Sequence, residues 1–229
     1  MKNKIIKIGH RGARAYVAEN TLASFKHAIE LGADAIEFDV MLCGSGELIV
    51  FHDHRVDYLS NGTGLVENLS LKYLKSLDVG GGNKIPTLEE ALNFIDRNIP
   101  INIEIKGNNT VNELARILSD FIDNKGWKAK DFYISSFNQQ YLLKIKKQFP
   151  EIRIGVLLVG IPLDLAKIGE TLNAYSINLN LGFINKDIVD DAHKRGLKVF
   201  VYTVNNVEDI EMMKEMGVDG IFSDSPDLL

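Results

Sequence analysis

The sequence predicts an α/β fold, a closed (β/α)8 barrel with a hairpin-plus-loop insertion after its second strand. Three observations predict it. Eight short apolar segments, at 5–9, 35–40, 101–106, 132–137, 152–158, 176–181, 198–204 and 220–223, are nearly all separated by stretches of helical period. Gly32, Gly196 and Gly217 each stop a helix a step or two before the next strand. The runner-up, an open doubly wound sheet, calls for a G-x-G-x-x-G fingerprint after the first strand, and none is present.

In chain order, residues 5–9 read as a buried strand ending in His10-Arg11-Gly12. A helix over 21–31 follows, capped by Asn20 or Thr21, with Leu22, Phe25 and Ile29 as its inner stripe. In Ala35-Ile36-Glu37-Phe38-Asp39-Val40, a period of two puts Ile36, Phe38 and Val40 on one face and both carboxylates on the other. The strand at 48–51 follows after only a short turn, too short for a parallel crossover, so it must return antiparallel. It ends at His52-Asp53. Residues 54–85 then read as a polar, Gly-rich excursion, long enough to be functional or mobile. Thr87-Leu88-Glu89-Glu90 is a capping box that opens a helix running to about Arg97. The strand at 101–106 repeats the earlier pattern, with Asn102, Glu104 and Lys106 opposite three isoleucines. Helices at 111–124, 139–149, 163–173, 186–195 and 207–216 separate the remaining strands, and the last unit has almost no helix.

A chain of 229 residues accommodates this barrel as one domain over 1–229, with the insertion at about 41–85. Its composition is that of a soluble globular protein, and a net charge of −5 without a Lys/Arg run argues against nucleic acid. The one cysteine, Cys43, leaves no internal disulfide and no thiolate-rich zinc cluster; it reads as a turn residue. The first eight residues lack the apolar run of a signal peptide, and no segment approaches a membrane span, so a cytoplasmic setting without stable membrane insertion is expected.

In such a barrel the active site lies at the carboxyl ends of the strands. His10 and Arg11 sit at the end of the first strand, Asp39 near that of the second, Glu104 and Lys106 at that of the third. His52 lies on the hairpin that grows from the same rim. Close carboxylates repel by roughly 4 kcal/mol per pair at about 4 Å with an effective dielectric near 20, and a bound cation removes that cost. Glu37, Asp39 and Glu104, oxygen donors without a cysteine, suit one hard divalent cation, Mg²⁺ or Ca²⁺. Arg11 and Lys106 beside it form a positive well for phosphate, and two histidines can accept and donate a proton. The residues alone therefore suggest metal-assisted cleavage of a phosphate ester.

Each residue also has a plainer reading. The strand carboxylates can be salt-bridge partners of Arg11 and Lys106, and His10 a satisfied histidine at a strand end. His27 and His193 belong to helix surfaces, His54 is ambiguous, and Trp127 belongs to packing.

The ordered set His10-Arg11-Gly12, Glu19-Asn20-Thr21, Glu37-Phe38-Asp39, Phe51-His52-Asp53, Pro86-Thr87-Leu88-Glu89-Glu90, Glu104-Ile105-Lys106, Ser135-Ser136-Phe137, Tyr202-Thr203-Val204-Asn205 and Gly217-Val218-Asp219-Gly220 resembles the glycerophosphodiester phosphodiesterase family from residue 9 to about 226. The resemblance implies a TIM barrel hydrolysing small-molecule glycerophosphodiesters, such as glycerophosphocholine and glycerophosphoethanolamine, to sn-glycerol 3-phosphate and an alcohol. It implies metal ligation by Glu37, Asp39 and Glu104, acid–base work by His10 and His52, and phosphate binding by Arg11 and Lys106. By the same resemblance Phe137 and Tyr202 line the glycerol or leaving-group side, and the 54–85 segment covers the site. Three departures stand out: Ala18 replaces the usual proline, the hairpin turn reads Cys43-Gly44-Ser45-Gly46, and Tyr202 replaces a tryptophan. The family route is attack by the glycerol 2-hydroxyl through a cyclic phosphate. Direct attack by metal-bound water is the alternative, and the order of the two histidines stays open.

Two rivals remain at the level of sequence. A lysophospholipase D or phospholipase-like enzyme acting at membranes predicts exposed apolar residues on the rim loops, whereas 54–85 is mostly polar. A non-catalytic barrel that binds a phosphorylated ligand leaves both histidines and the acidic triad without a purpose.

Overall fold

The computed structural model describes residues 4–229. Its first units are β1 (Ile6–Gly9), α1 (Leu22–Glu30), β2 (Ala35–Leu42), β3 (Leu48–Val50), α2 (Leu71–Ser76), α3 (Leu88–Ile95) and β4 (Ile101–Ile105). There follow α4 (Thr110–Asn124), β5 (Phe132–Ser136), α5 (Gln139–Gln148), β6 (Arg153–Leu158), α6 (Lys167–Thr171) and β7 (Ser176–Asn180). The chain ends with α7 (Lys186–Lys194), β8 (Lys198–Tyr202), α8 (Val207–Met216) and β9 (Gly220–Ser223). Each strand except β3 pairs in parallel with the next, and β9 pairs with β1, which closes the (β/α)8 barrel. β3 returns antiparallel along β2, Val40 opposite Val50, as the short turn requires.

The period of two along the strands sorts their side chains between two environments. Ile36, Phe38, Val40, Ile101, Ile103 and Ile105 point outward and are buried beneath the helices, where each is worth about 1.5–3 kcal/mol by leaving water. Inside the barrel, Ile8, Phe200 and Phe222 fill the amino-terminal end with Tyr133 and Tyr175 against them. Above this plug lie buried polar residues, among them Asn102, Ser135, Asn178, Glu37 and Asp39.

Helix ends follow the local signals. Thr21 caps α1 by accepting from Ser24 N–H, and Gly32 at φ 80° ends it. Thr87 and Glu90 form the expected capping box on α3. Trp127 stacks on Phe132 with ring centroids 5.0 Å apart.

Four sequence expectations need correction. The buried residues of α1 are Ser24, Phe25 and Ala28; Leu22 and Ile29 are only partly covered, so the inner stripe is rotated toward small residues that approach β1 and β2 closely. The helix expected over 163–173 shrinks to Lys167–Thr171: Leu165 at φ 52° breaks the preceding turn, and a Cβ at Gly169 would meet a Leu197 methyl at 2.6 Å. The 54–85 segment is no bare polar loop. Val56, Val66, Leu74, Leu77 and Ile85 pack with Met41, Ile49 and Phe51 into a second apolar cluster. Cys43 begins its turn, as read, but its side chain is buried in that same cluster.

Candidate active site

The His10-Arg11-Gly12 turn is built against α1. Arg11 at φ 53° and Gly12 at φ 86° turn the chain sharply at the carboxyl end of β1. A Cβ on Gly12 would lie 2.3 Å from Ser24 Oγ and 2.7 Å from the Ser24 carbonyl carbon, so only glycine fits. The turn aims the Arg11 N–H at Glu37 Oε2, 2.9 Å away, and sends the Arg11 guanidinium to Glu19 at 2.7 Å and Asp39 at 3.5 Å. Asn20, itself at φ 56°, donates from Nδ2 to Asp39 Oδ2 at 3.0 Å and accepts from the Asp39 N–H at 3.3 Å.

Strand register does the rest. Parallel pairing sets Asp39 beside Glu104 on one interior level and Glu37 beside Asn102 one level deeper. Ligand oxygens of Glu37, Asp39 and Glu104 all lie within 4.8 Å of one another. Lys106 follows β4 and extends Nζ to 3.5 Å from Glu104, 3.9 Å from Asp39 and 2.9 Å from His52 Nε2.

The cluster has donors to spare for a cation. Glu37 Oε1 and Asp39 Oδ1 are buried and accept no hydrogen bond, an arrangement that costs about 1–3 kcal/mol or more per oxygen unless something else is bound there. Two orphaned carboxylate oxygens with a third carboxylate beside them fit a hard divalent cation. Electrostatics agrees. Burial, then Asp39 and Glu104, push Glu37 well above the ordinary glutamate range. Burial and the Asp39 charge raise Glu104 to about 7. Burial works to raise Asp39 too, but Arg11, His52 and Lys106 outweigh it and hold that carboxyl below its usual value.

Each histidine is held by an aspartate. His10 Nδ1 lies 2.6 Å from Asp224 Oδ1, and Asn205 fixes that carboxylate by donating from Nδ2 at 2.8 Å. His52 Nδ1 lies 2.6 Å from Asp53 Oδ1. A carboxylate only accepts, so in each ring Nδ1 carries the proton and Nε2 the lone pair. Burial lowers the basicity of both imidazoles, with Asp224 opposing it at His10 and Asp39 opposing it at His52.

Of the nine residues singled out in the sequence, seven meet at this mouth: His10, Arg11, Glu37, Asp39, His52, Glu104 and Lys106. Phe137 and Tyr202 stand to one side, their rings edge to face at 6.0 Å. The Tyr202 hydroxyl donates to the Leu158 carbonyl at 2.9 Å; burial and then the Glu104 charge raise its pKa, which keeps the phenol protonated. Glu19, Asn20, Asp53 and Asp224 join the site through contacts that no sequence pattern announces. Asp53 follows a candidate histidine directly, and Asp224 follows the last strand, the position already used to choose the others. Beside the site, a cleft of about 750 Å³ opens between the 14–20 loop and the insertion, lined by Arg14, Glu19, Asn20, Phe51 and Tyr58.

Known proteins share this sequence and shape along nearly their whole lengths. The profile of the Glycerophosphoryl diester phosphodiesterase family matches residues 10–228. A glycerophosphodiester phosphodiesterase of Caldanaerobacter subterraneus subsp. tengcongensis is 39% identical over 241 residues, covering 99% of this chain and 96% of that one. A glycerophosphodiester phosphodiesterase of Bacillus subtilis is 30% identical, covering 99% of this chain and 85% of its own. An Oleispira antarctica phosphodiesterase, solved in complex with the product sn-glycerol-3-phosphate, superposes with a TM-score of 0.88 at 31% identity, covering 96% of this chain and 93% of that one.

Proposed function

Because the chain belongs to the glycerophosphoryl diester phosphodiesterase family, we propose that its barrel mouth is the catalytic site and that the residues gathered there divide the work as follows. The reaction is hydrolysis of a glycerophosphodiester to sn-glycerol 3-phosphate and an alcohol. Glu37, Asp39 and Glu104 hold one divalent cation, Mg²⁺ or Ca²⁺, which when bound neutralises charge on the phosphate. Arg11 and Lys106 hold phosphate oxygens.

His10 and His52 move the protons. One Nε2 takes the proton of the attacking hydroxyl, whether the glycerol 2-hydroxyl or water. The other protonates the departing alcohol oxygen as its bond to phosphorus breaks; where the glycerol 2-hydroxyl has attacked, water then opens the cyclic phosphate to glycerol 3-phosphate, giving its proton to one imidazole while the other protonates the departing 2-oxygen. The Lys106 ammonium donates to His52 Nε2 at 2.9 Å, which occupies the lone pair that His52 needs. A phosphate that draws Lys106 to itself frees that lone pair, so substrate binding itself switches His52 on. Phe137 and Tyr202 flank the glycerol or the leaving alcohol.

The observation that carries this reading is the acidic triad with two orphaned oxygens, set among two imidazoles that are each fixed at Nδ1. The test is release of glycerol 3-phosphate from glycerophosphocholine or glycerophosphoethanolamine. Release should stop with chelator, return with Mg²⁺ or Ca²⁺, and be lost in Glu37→Gln and in a folded His10→Ala protein. Turnover untouched by chelation would remove the cation from the reaction, and full activity in His10→Ala would remove the histidine.

A further inference from the structure

The mouth of the barrel is lopsided. On the insertion side, most apolar residues turn inward into their own cluster, with Tyr58 and Tyr73 left exposed. The loops after β5, β6 and β7 and the first turn of α8 do the reverse, leaving Phe137, Val159, Ile161, Leu163, Phe183 and Val207 exposed to solvent. Leu163 is wholly exposed, at 107%. Half of the exposed large apolar residues of the described chain thus crowd one arc of the mouth, which is uncommon unless something covers it.

The centre of this arc is Val159-Gly160-Ile161-Pro162-Leu163, five residues without a charge. It joins the site directly. Leu158, whose carbonyl accepts from the Tyr202 hydroxyl, immediately precedes it, and Tyr202 packs edge to face on Phe137. The crest is therefore anchored to the wall of the active site and rises beside it.

The site itself says what covers the crest. A glycerophosphodiester is also the polar part of a glycerophospholipid, so a mouth that admits it can face the plane where such groups are displayed. The covering surface is neutral: the crest carries no charge, and a net charge of −5 opposes approach to an anionic membrane. The contact is peripheral, since no helix among the described residues is long and apolar enough to cross a membrane.

We propose that the Val159–Leu163 crest, with the exposed Phe137 and Phe183 on the loops after the two neighbouring strands, seats the barrel mouth on a zwitterionic glycerophospholipid surface, so that diesters reach the acidic triad from the lipid–water interface. The proposal rests on the phosphodiesterase reading above. It also recovers the rim exposure expected of a membrane-acting enzyme, on the β5–β8 side of the mouth instead of in 54–85.

The test is flotation of the whole protein with phosphatidylcholine vesicles, alongside an Ile161→Asp/Leu163→Asp variant. Turnover of water-soluble glycerophosphocholine is followed in parallel. Wild type should float, float equally well in about 0.5 M salt, and lose about tenfold or more of its partitioning in the double variant, while turnover of the soluble diester is unchanged. In a second measurement, Leu163→Trp should shift its emission to the blue on adding vesicles, against the single buried Trp127. No flotation of wild type, flotation abolished by salt, equal flotation of the double variant, or a dimer in solution that the variant dissociates would overturn the proposal. Loss of glycerophosphocholine turnover in wild type would instead strike at the underlying phosphodiesterase reading.

Discussion

His10 Nδ1 and Asp224 Oδ1 lie 2.6 Å apart, joined across the seam where β9 pairs with β1. The aspartate fixes the tautomer that leaves Nε2 facing the site, and it favours the imidazolium that forms when His10 takes a proton.

Asp224→Asn should therefore leave the fold intact and lower kcat by about a hundredfold, the range of a lost acid–base contribution. Asp224 raises the His10 pKa against burial, so its removal should also shift the limb of the pH–rate profile that reports His10 toward lower pH. A variant within twofold of wild type, with an unmoved profile, would show that the pair has no part in turnover.

Cation binding should depend on pH in a definite direction. With Glu104 raised to about 7 and Glu37 higher than usual, the metal-free cluster carries protons below neutrality. A cation must expel them, so affinity should fall as pH drops through 7. Calorimetry near pH 6 in buffers of different ionisation heat should show proton release. Identical heats in every buffer would contradict it.

Gly12→Ala should be among the costliest small substitutions in the chain. The new methyl meets Ser24 backbone at 2.7 Å and sits at φ 86°, so about 2–4 kcal/mol of stability should be lost, with a lower Tm. Retained stability would mean that the turn moves away from α1 freely.

Asp219 offers a control remote from the mouth. It accepts from Lys198 at 2.7 Å, from Val199 N–H at 2.9 Å and from His193 at 2.8 Å. Burial would raise its pKa, but these partners hold it below the usual carboxylate value. A depressed folded pKa gives stability that is complete above the unfolded value of about 3.9 and is lost as pH falls through the folded one. Asp219→Asn should cost about 1 kcal/mol at neutral pH, flatten the acid limb of a denaturation series and spare turnover. An unchanged acid limb would assign that pH dependence elsewhere.

Much of this was legible in the sequence because strands and register obey short-range rules. Alternation placed Glu37 and Asp39 on one face, and parallel pairing then had to set Asp39 beside Glu104. The hairpin followed from a turn too short for a crossover. What escaped was contact between distant segments. Nothing local marks Asn20 as the partner of Asp39, or Asp224 as that of His10, until the barrel closes. The apolar cluster of the insertion escaped because Val56, Val66, Leu74 and Ile85 are too widely spaced to show a period. The helix over 163–173 comes out shorter because Leu165 takes φ 52° before it, a backbone state that its neighbours in sequence do not announce.

Closure of the barrel by β9 against β1 sets two parts of the site apart by where they come from in the chain. The acidic triad comes wholly from β2 and β4, early in the chain. The His10 imidazole gains its aspartate only after a segment more than two hundred residues later arrives. The two halves of the site thus come from opposite ends of the chain, and only the closed ring brings His10 and its aspartate together.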